Sequence, residues 1–127
     1  MAQTIVTESL AESFVIEGAQ PLEGRIAAAG NKNGALPILA ACLLTDEPVT
    51  LSNVPRIRDV ETMLELLVDI GADVEWLGRN EVRVHAADVR KVELDEELCR
   101  RIRASILLAG PLLARHGRAV SLLRAAT

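Results

Sequence analysis

The sequence predicts an α/β fold assembled from repeated βαβαββ units. Three observations carry that expectation. Short β-branched runs alternate with longer segments of helical periodicity, turn residues punctuate the junctions, and the order begins again before the chain ends. With 127 residues, half of them hydrophobic, the chain can bury a core without disulfides or metal.

Residues 1–12 are polar and irregular and are expected as a flexible leader. Phe14-Val15-Ile16 reads as a strand ended by Gly18 and Pro21. Arg25 to Ala29 reads as a second, weaker strand, with Ala28 and Ala29 small enough for another element to approach closely. The turn Gly30-Asn31-Lys32-Asn33-Gly34 then opens an apolar run, Ala35 to Leu44. This run is expected to be a helix from about Asn33, capped by Asn33 and carrying Pro37 in its first turn. Val49-Thr50-Leu51 is a strand bounded by Pro48 and by Asn53-Val54-Pro55.

The next helix is the most strongly patterned. Val60, Met63, Leu64, Leu67 and Val68 recur at helical spacing, with Asp59, Glu61, Glu65 and Asp69 on the polar side. Asp59 is expected to cap its start and Gly71 to close it in the left-handed conformation. Val74 to Leu77 and Val82 to His85 form a hairpin in which Gly78 or Asn80 supplies positive φ. A long helix from Glu96 to His116 follows, opened by Asp95, kinked at Pro111 and closed by Gly117. Val120 begins a further strand, and Ser121 to Thr127 hold neither turn signal nor cap.

Composition narrows the function. A net charge of −4 and only two aromatic residues, Phe14 and Trp76, argue against nucleic acid as a partner, which needs a basic face or a stacking platform. The apolar runs fall short of the ~20 residues that span a membrane. The N-terminus lacks the basic and apolar regions of a targeting peptide, so a cytoplasmic location is expected. Cys42 and Cys99 sit in helical patterns without metal-ligand spacing, as do His85 and His116, so packed thiols and no metal are expected.

The Gly30–Gly34 turn has the chemistry of an anion site. Glycines permit a tight turn, the free N–H groups of a helix start favour negative charge, and Lys32 adds a mobile ammonium. Lys32 is one of two lysines in a chain with twelve arginines, which suggests a point-charge contact at this turn. An ordinary strand-turn-helix connection has the same letters. Arg100, Arg101 and Arg103 form a second basic cluster on a helix, which fits a solvated face, a structural ion-pair site or part of an anionic-ligand pocket, the solvated face being the first reading.

From Phe14 to about Val120 the chain resembles the N-terminal part of the enolpyruvyl transferase family, in its UDP-N-acetylglucosamine 1-carboxyvinyltransferase branch. The resemblance rests on five ordered blocks: Gly18 with Pro21-Leu22-Glu23-Gly24, Gly30 to Leu39, Asn53-Val54-Pro55 with Asp59-Val60, Leu67 with Gly71-Ala72, and Arg103-Ala104-Ser105-Ile106 with Gly110-Pro111-Leu112. Family members have two similar domains, each of three βαβαββ units, with substrates between them. The resemblance implies a first unit over about 22–88, the start of a second over about 89–122, and an aberrant tail over 121–127. The Phe14 strand would then belong to the other domain.

The resemblance implies transfer of the enolpyruvyl group of phosphoenolpyruvate to the 3-hydroxyl of UDP-N-acetylglucosamine, the first committed step of peptidoglycan synthesis, without metal or cofactor. Lys32 and Asn33 match the family's Lys-Asn pair at the phosphoenolpyruvate site. Arg103 matches the arginine of the Arg-Ala-Ser motif that helps bind the UDP-sugar or the phosphate region. Asn31 and Gly34 depart from the small alanine-like residues of many relatives. The family's Pro-Gly-Gly loop, carrying a Cys or Asp proton donor, finds no match after Val120, and Cys99 lies within a helical pattern.

A truncated or frame-shifted chain without a catalytic proton donor is therefore expected, with self-association through unpaired edges. Two other readings stay open. One is a non-catalytic binding or regulatory fragment of the same fold. The other is the related shikimate-pathway transferase, whose turn usually carries serine where Asn33 stands.

Overall fold

The computed structural model describes residues 4–8, as backbone, and 12–121. Two strands, β1 (Thr4–Glu8) and β2 (Ser13–Glu17), pair antiparallel. Thr4–Glu8 falls within the expected leader; its backbone pairs Ile5 with Ile16 and Val6 with Val15, residue types that favour extended backbone. β2 is exposed along its length.

Arg25 to Ala29 is not a strand. Residues 21–29 run exposed and irregular, with no neighbouring strand to satisfy their backbone groups in a ladder. Helix α1 (Lys32–Ala41) then begins one residue earlier than expected, and a 3-10 turn over Cys42–Leu44 extends it. The earlier start changes two assignments. Asn31, not Asn33, is the N-cap, its side chain accepting from the Gly34 N–H at 2.8 Å. Pro37 falls in the second turn, where its missing N–H leaves the Asn33 carbonyl without the usual helical donor.

β3 (Val49–Leu51), β4 (Asp73–Gly78) and β5 (Glu81–His85) form an antiparallel sheet in the order β3-β5-β4. The β4–β5 hairpin is where the sequence predicts it, but neither Gly78 nor Asn80 has positive φ. A register shift between Trp76 and Gly78 adjusts the ladder next to the turn instead. Helix α2 (Arg58–Asp69) crosses between β3 and β4. Ile57, with no side-chain cap, precedes it, so Asp59 sits inside the first turn and is not the cap. Gly71 closes the helix at φ +115, and a Cβ there would come 2.5 Å from the Asp88 carbonyl oxygen, so both conformation and space require glycine.

The long C-terminal helix is broken rather than kinked. Helix α3 (Glu96–Arg101), capped by Asp95, stops at Ile102, whose backbone is extended. A 3-10 segment (Arg103–Leu108) and helix α4 (Ala109–His116) follow, the latter closed by Gly117 at φ +69. The break turns Ile102, Ser105, Leu108 and Leu112 inward. Pro111 lies in the first turn of α4, where no N–H is required of it, so it causes no kink. Val120 makes one parallel bridge to Glu93 rather than a strand. Of the tail, residues 122–127 lie outside the described residues.

One core joins these pieces. Leu39 and Leu43 from the α1 region, Val60, Met63, Leu66 and Leu67 from α2, Val82 and Val84 from β5, and Leu108 and Leu112 are all fully buried. Each such side chain contributes about 1.5–3 kcal/mol over exposure. The packing of α1 against α2 and against the 103–108 segment sets the positions of the candidate site residues.

Candidate functional site

The site is built on the N-terminus of α1. Gly30 brings the chain close to the residues after β3: a Cβ at Gly30 would stand 1.8 Å from the Asn53 carbonyl oxygen, so no other residue fits this approach. The Gly30 N–H donates to Asn53 Oδ1 at 3.0 Å, and Asn53 Nδ2 donates to the Ala28 carbonyl at 3.3 Å. Asn31 then caps the helix. Beside the turn lies a groove of about 240 Å³, walled by Gly30, Asn31, Gly34 and Ile38 on one side and Leu51 to Val54 on the other.

Lys32 is the first residue of α1, and its side chain is half exposed. Lys32 is not among the residues that line the groove. It pairs with Asp59 in the first turn of α2, Nζ to Oδ2 at 3.0 Å. Two helix starts, each a region of positive potential, thus share one ion pair, and Asp59 lies where the α2 dipole favours a carboxylate. Asn33 follows Lys32 on the exposed side of the same turn.

Arg103 opens the 3-10 segment that packs on α1, and its side chain is exposed. The fold therefore brings the elements carrying Lys32 and Arg103 together, while no hydrogen bond or ion pair joins Arg103 to Lys32 or Asn33. The other two arginines of the cluster are exposed and engaged. Arg100 pairs with Glu96, and Arg101 pairs with Glu97 at 2.9 Å and with Glu65 of α2 at 3.3 Å, which raises the Arg101 pKa mainly through its hydrogen bond to Glu97.

Both cysteines are buried. Burial pushes the Cys42 thiol up, and its Sγ donates to the Ile38 carbonyl at 3.4 Å. Cys99 lies inside α3. Among the described residues no group of His, Cys, Asp and Glu could hold a metal ion, and no helix is long and apolar enough to cross a membrane.

Two residues at the site were not given their parts by sequence. The sequence reads Asp59 as a cap, and it is the partner of Lys32; it reads Asn53 only as part of the block that bounds the strand, and it is the brace of Gly30. The Asn53-Val54-Pro55 block is the trace they leave in the sequence; the pairing itself needs the packing of α1 on α2.

The model of EPSP synthase (3-phosphoshikimate 1-carboxyvinyltransferase) matches residues 16–124. A UDP-N-acetylglucosamine 1-carboxyvinyltransferase from Bradyrhizobium diazoefficiens is 61% identical over 82% of this chain and 24% of its own length. Proteins of the same name from Solibacter usitatus and Treponema denticola are 53% and 45% identical, over 85% and 84% of the chain and 26% and 25% of theirs. The chain thus spans about a quarter of the length of these relatives. Among solved structures, the enolpyruvyl transferase NikO from Streptomyces tendae superposes with a TM-score of 0.67 at 28% identity, over 80% of this chain and 24% of that one. With a family model matched over residues 16–124 and a fold shared with a solved enolpyruvyl transferase, the chain belongs to the EPSP synthase family of enolpyruvyl transferases.

Proposed function

We propose that this chain is the portion of a UDP-N-acetylglucosamine 1-carboxyvinyltransferase that supplies cationic contacts to the substrate phosphates. The reaction moves the enolpyruvyl group of phosphoenolpyruvate to the 3-hydroxyl of UDP-N-acetylglucosamine and releases phosphate. The observation that carries this reading is the Lys32 ammonium at the α1 N-terminus, in a sequence 61% identical to a relative of that name.

Addition and elimination through a tetrahedral intermediate need three things: a proton for the methylene carbon, a base for the hydroxyl, and cations to hold several negative charges together. Lys32 meets the last need at phosphoenolpyruvate, with the neutral Asn33 beside it as a hydrogen-bonding group, and Arg103 meets it at the UDP-sugar or the phosphate. Cys42 and Cys99 are buried in the core, so neither serves as the proton donor. No cofactor enters this scheme. Asn33, in place of a serine, favours the UDP-sugar over the shikimate substrate. The units over about 22–88 and 89–122, a cytoplasmic location, a part in cell-wall formation, cell shape and division, and self-association through exposed edges belong to the same reading.

The test is a heteronuclear NMR titration with phosphoenolpyruvate. Shifts centred on the Lys32, Asn33 and Gly34 amides, lost in Lys32→Ala, support the reading. Equal binding by Lys32→Ala overturns it. Activity is tested by grafting residues 14–120 in place of the matching segment of the Bradyrhizobium relative: phosphate release with both substrates is expected, and its loss in Arg103→Ala.

A further inference from the structure

We infer that Asn53 is a positioning residue: it holds the Gly30–Gly34 turn, and with it Lys32, in the geometry that meets the substrate phosphate. The inference rests on the phosphate reading of that turn and adds a residue that acts through Gly30.

Asn53 stands two residues beyond the end of strand β3, at φ +56, in the left-handed region that asparagine tolerates better than most side chains. That conformation lets one residue grip the turn in three ways. Its Oδ1 accepts from the Gly30 N–H at 3.0 Å, its Nδ2 donates to the Ala28 carbonyl at 3.3 Å, and its own carbonyl closes the space a Gly30 side chain would need. Residues 21–29 are exposed, so burial does not fix where the chain enters α1. Polar contacts must do so. Asn31, the next residue after Gly30, caps the helix through Gly34, and Lys32 follows it directly. The line of support therefore runs from the end of β3 through Asn53 to Gly30, to the cap, and to the ammonium. Positioning of this kind matters because a displaced charge contacts a developing phosphate poorly even when its own chemistry is intact.

The variants that separate the roles are Asn53→Gly and Asn53→Asp. Glycine keeps the left-handed backbone and removes both side-chain hydrogen bonds; aspartate keeps the acceptor for Gly30. Amide exchange and phosphoenolpyruvate titration by NMR are measured on the 127-residue chain. In Asn53→Gly, Gly30 exchange should quicken about tenfold and phosphoenolpyruvate binding weaken about fivefold to tenfold, the scale of one or two hydrogen bonds. Exchange at Leu66 and Val84 in the core should stay unchanged, and Asn53→Asp should restore Gly30 protection. Wild-type binding that Asn53→Gly matches, or Gly30 exchange that it leaves unaltered, overturns the positioning role and spares the phosphate reading. Absence of phosphoenolpyruvate binding in both chains overturns the phosphate reading, and this inference with it.

Discussion

Lys32 Nζ and Asp59 Oδ2 lie 3.0 Å apart and join the first residue of α1 to the first turn of α2. Both side chains remain substantially solvated, so the pair is a surface ion pair across two helix starts rather than a buried one. An exposed pair of this kind contributes about 0.2–1 kcal/mol. Its larger effect is on charge at the site, since the carboxylate competes with any anion for the ammonium.

Asp59→Asn should therefore lower stability by less than about 1 kcal/mol in urea unfolding. It should also tighten inorganic phosphate binding at low salt, measured by NMR titration. Weaker phosphate binding in this variant would show that Asp59 orients Lys32 more than it neutralises it.

Asn31→Ala should cost about 0.5–2 kcal/mol, because it removes the side chain that satisfies the Gly34 N–H. Asn33→Ala leaves the cap intact and should change stability by much less. Equal losses in chemical denaturation would contradict the observed cap.

Gly30 and Gly34 should respond in opposite directions to alanine. At Gly30 the added Cβ meets the Asn53 carbonyl oxygen at 1.8 Å, so the turn must move, at a cost of about 1–3 kcal/mol. At Gly34 the nearest atom is Asn31 Oδ1 at 3.5 Å, an ordinary contact, and the helix gains up to about 1 kcal/mol. Thermal or urea unfolding reads both.

Stability should fall as pH rises above the ordinary thiol value of 9.0, because burial raises the Cys42 pKa and the folded chain then holds a proton that the unfolded chain releases. The contribution is fully present below 9.0 and is lost as pH climbs through the raised folded value. Lys91, raised chiefly by its hydrogen bond to Asp69, acts in the same direction above 10.5. The slope that vanishes in Cys42→Ala is the thiol's own, and an unchanged slope between pH 9 and 10 would remove this account.

Phe14, Leu22 and Ile26 are 69%, 97% and 97% exposed, and among the described residues β3 and β4 leave edges of the sheet unpaired. Self-association should follow and be seen by sedimentation velocity, and Leu22→Glu with Ile26→Glu should reduce it. A wild-type chain that stays monomeric and unfolds in a single reversible transition would contradict this.

The sequence by itself determined the elements whose signals are local. Helix α2, the β4–β5 hairpin, the Asp95 cap and the Gly71 and Gly117 closures depend on periodicity and on residues a few positions apart, and each was legible there. The turn at Lys32 was legible as the entry to a helix for the same reason. Tertiary structure decided what depends on distant partners: that Arg25 to Ala29 finds no strand to pair with, that Ile102 breaks a helix to bury Ser105 and Leu108, and that Asp59 and Asn53 serve Lys32 and Gly30. Helix propensity across Ile102 is worth tenths of a kcal/mol per residue, while each buried leucine is worth about 1.5–3 kcal/mol, so packing overrode the pattern.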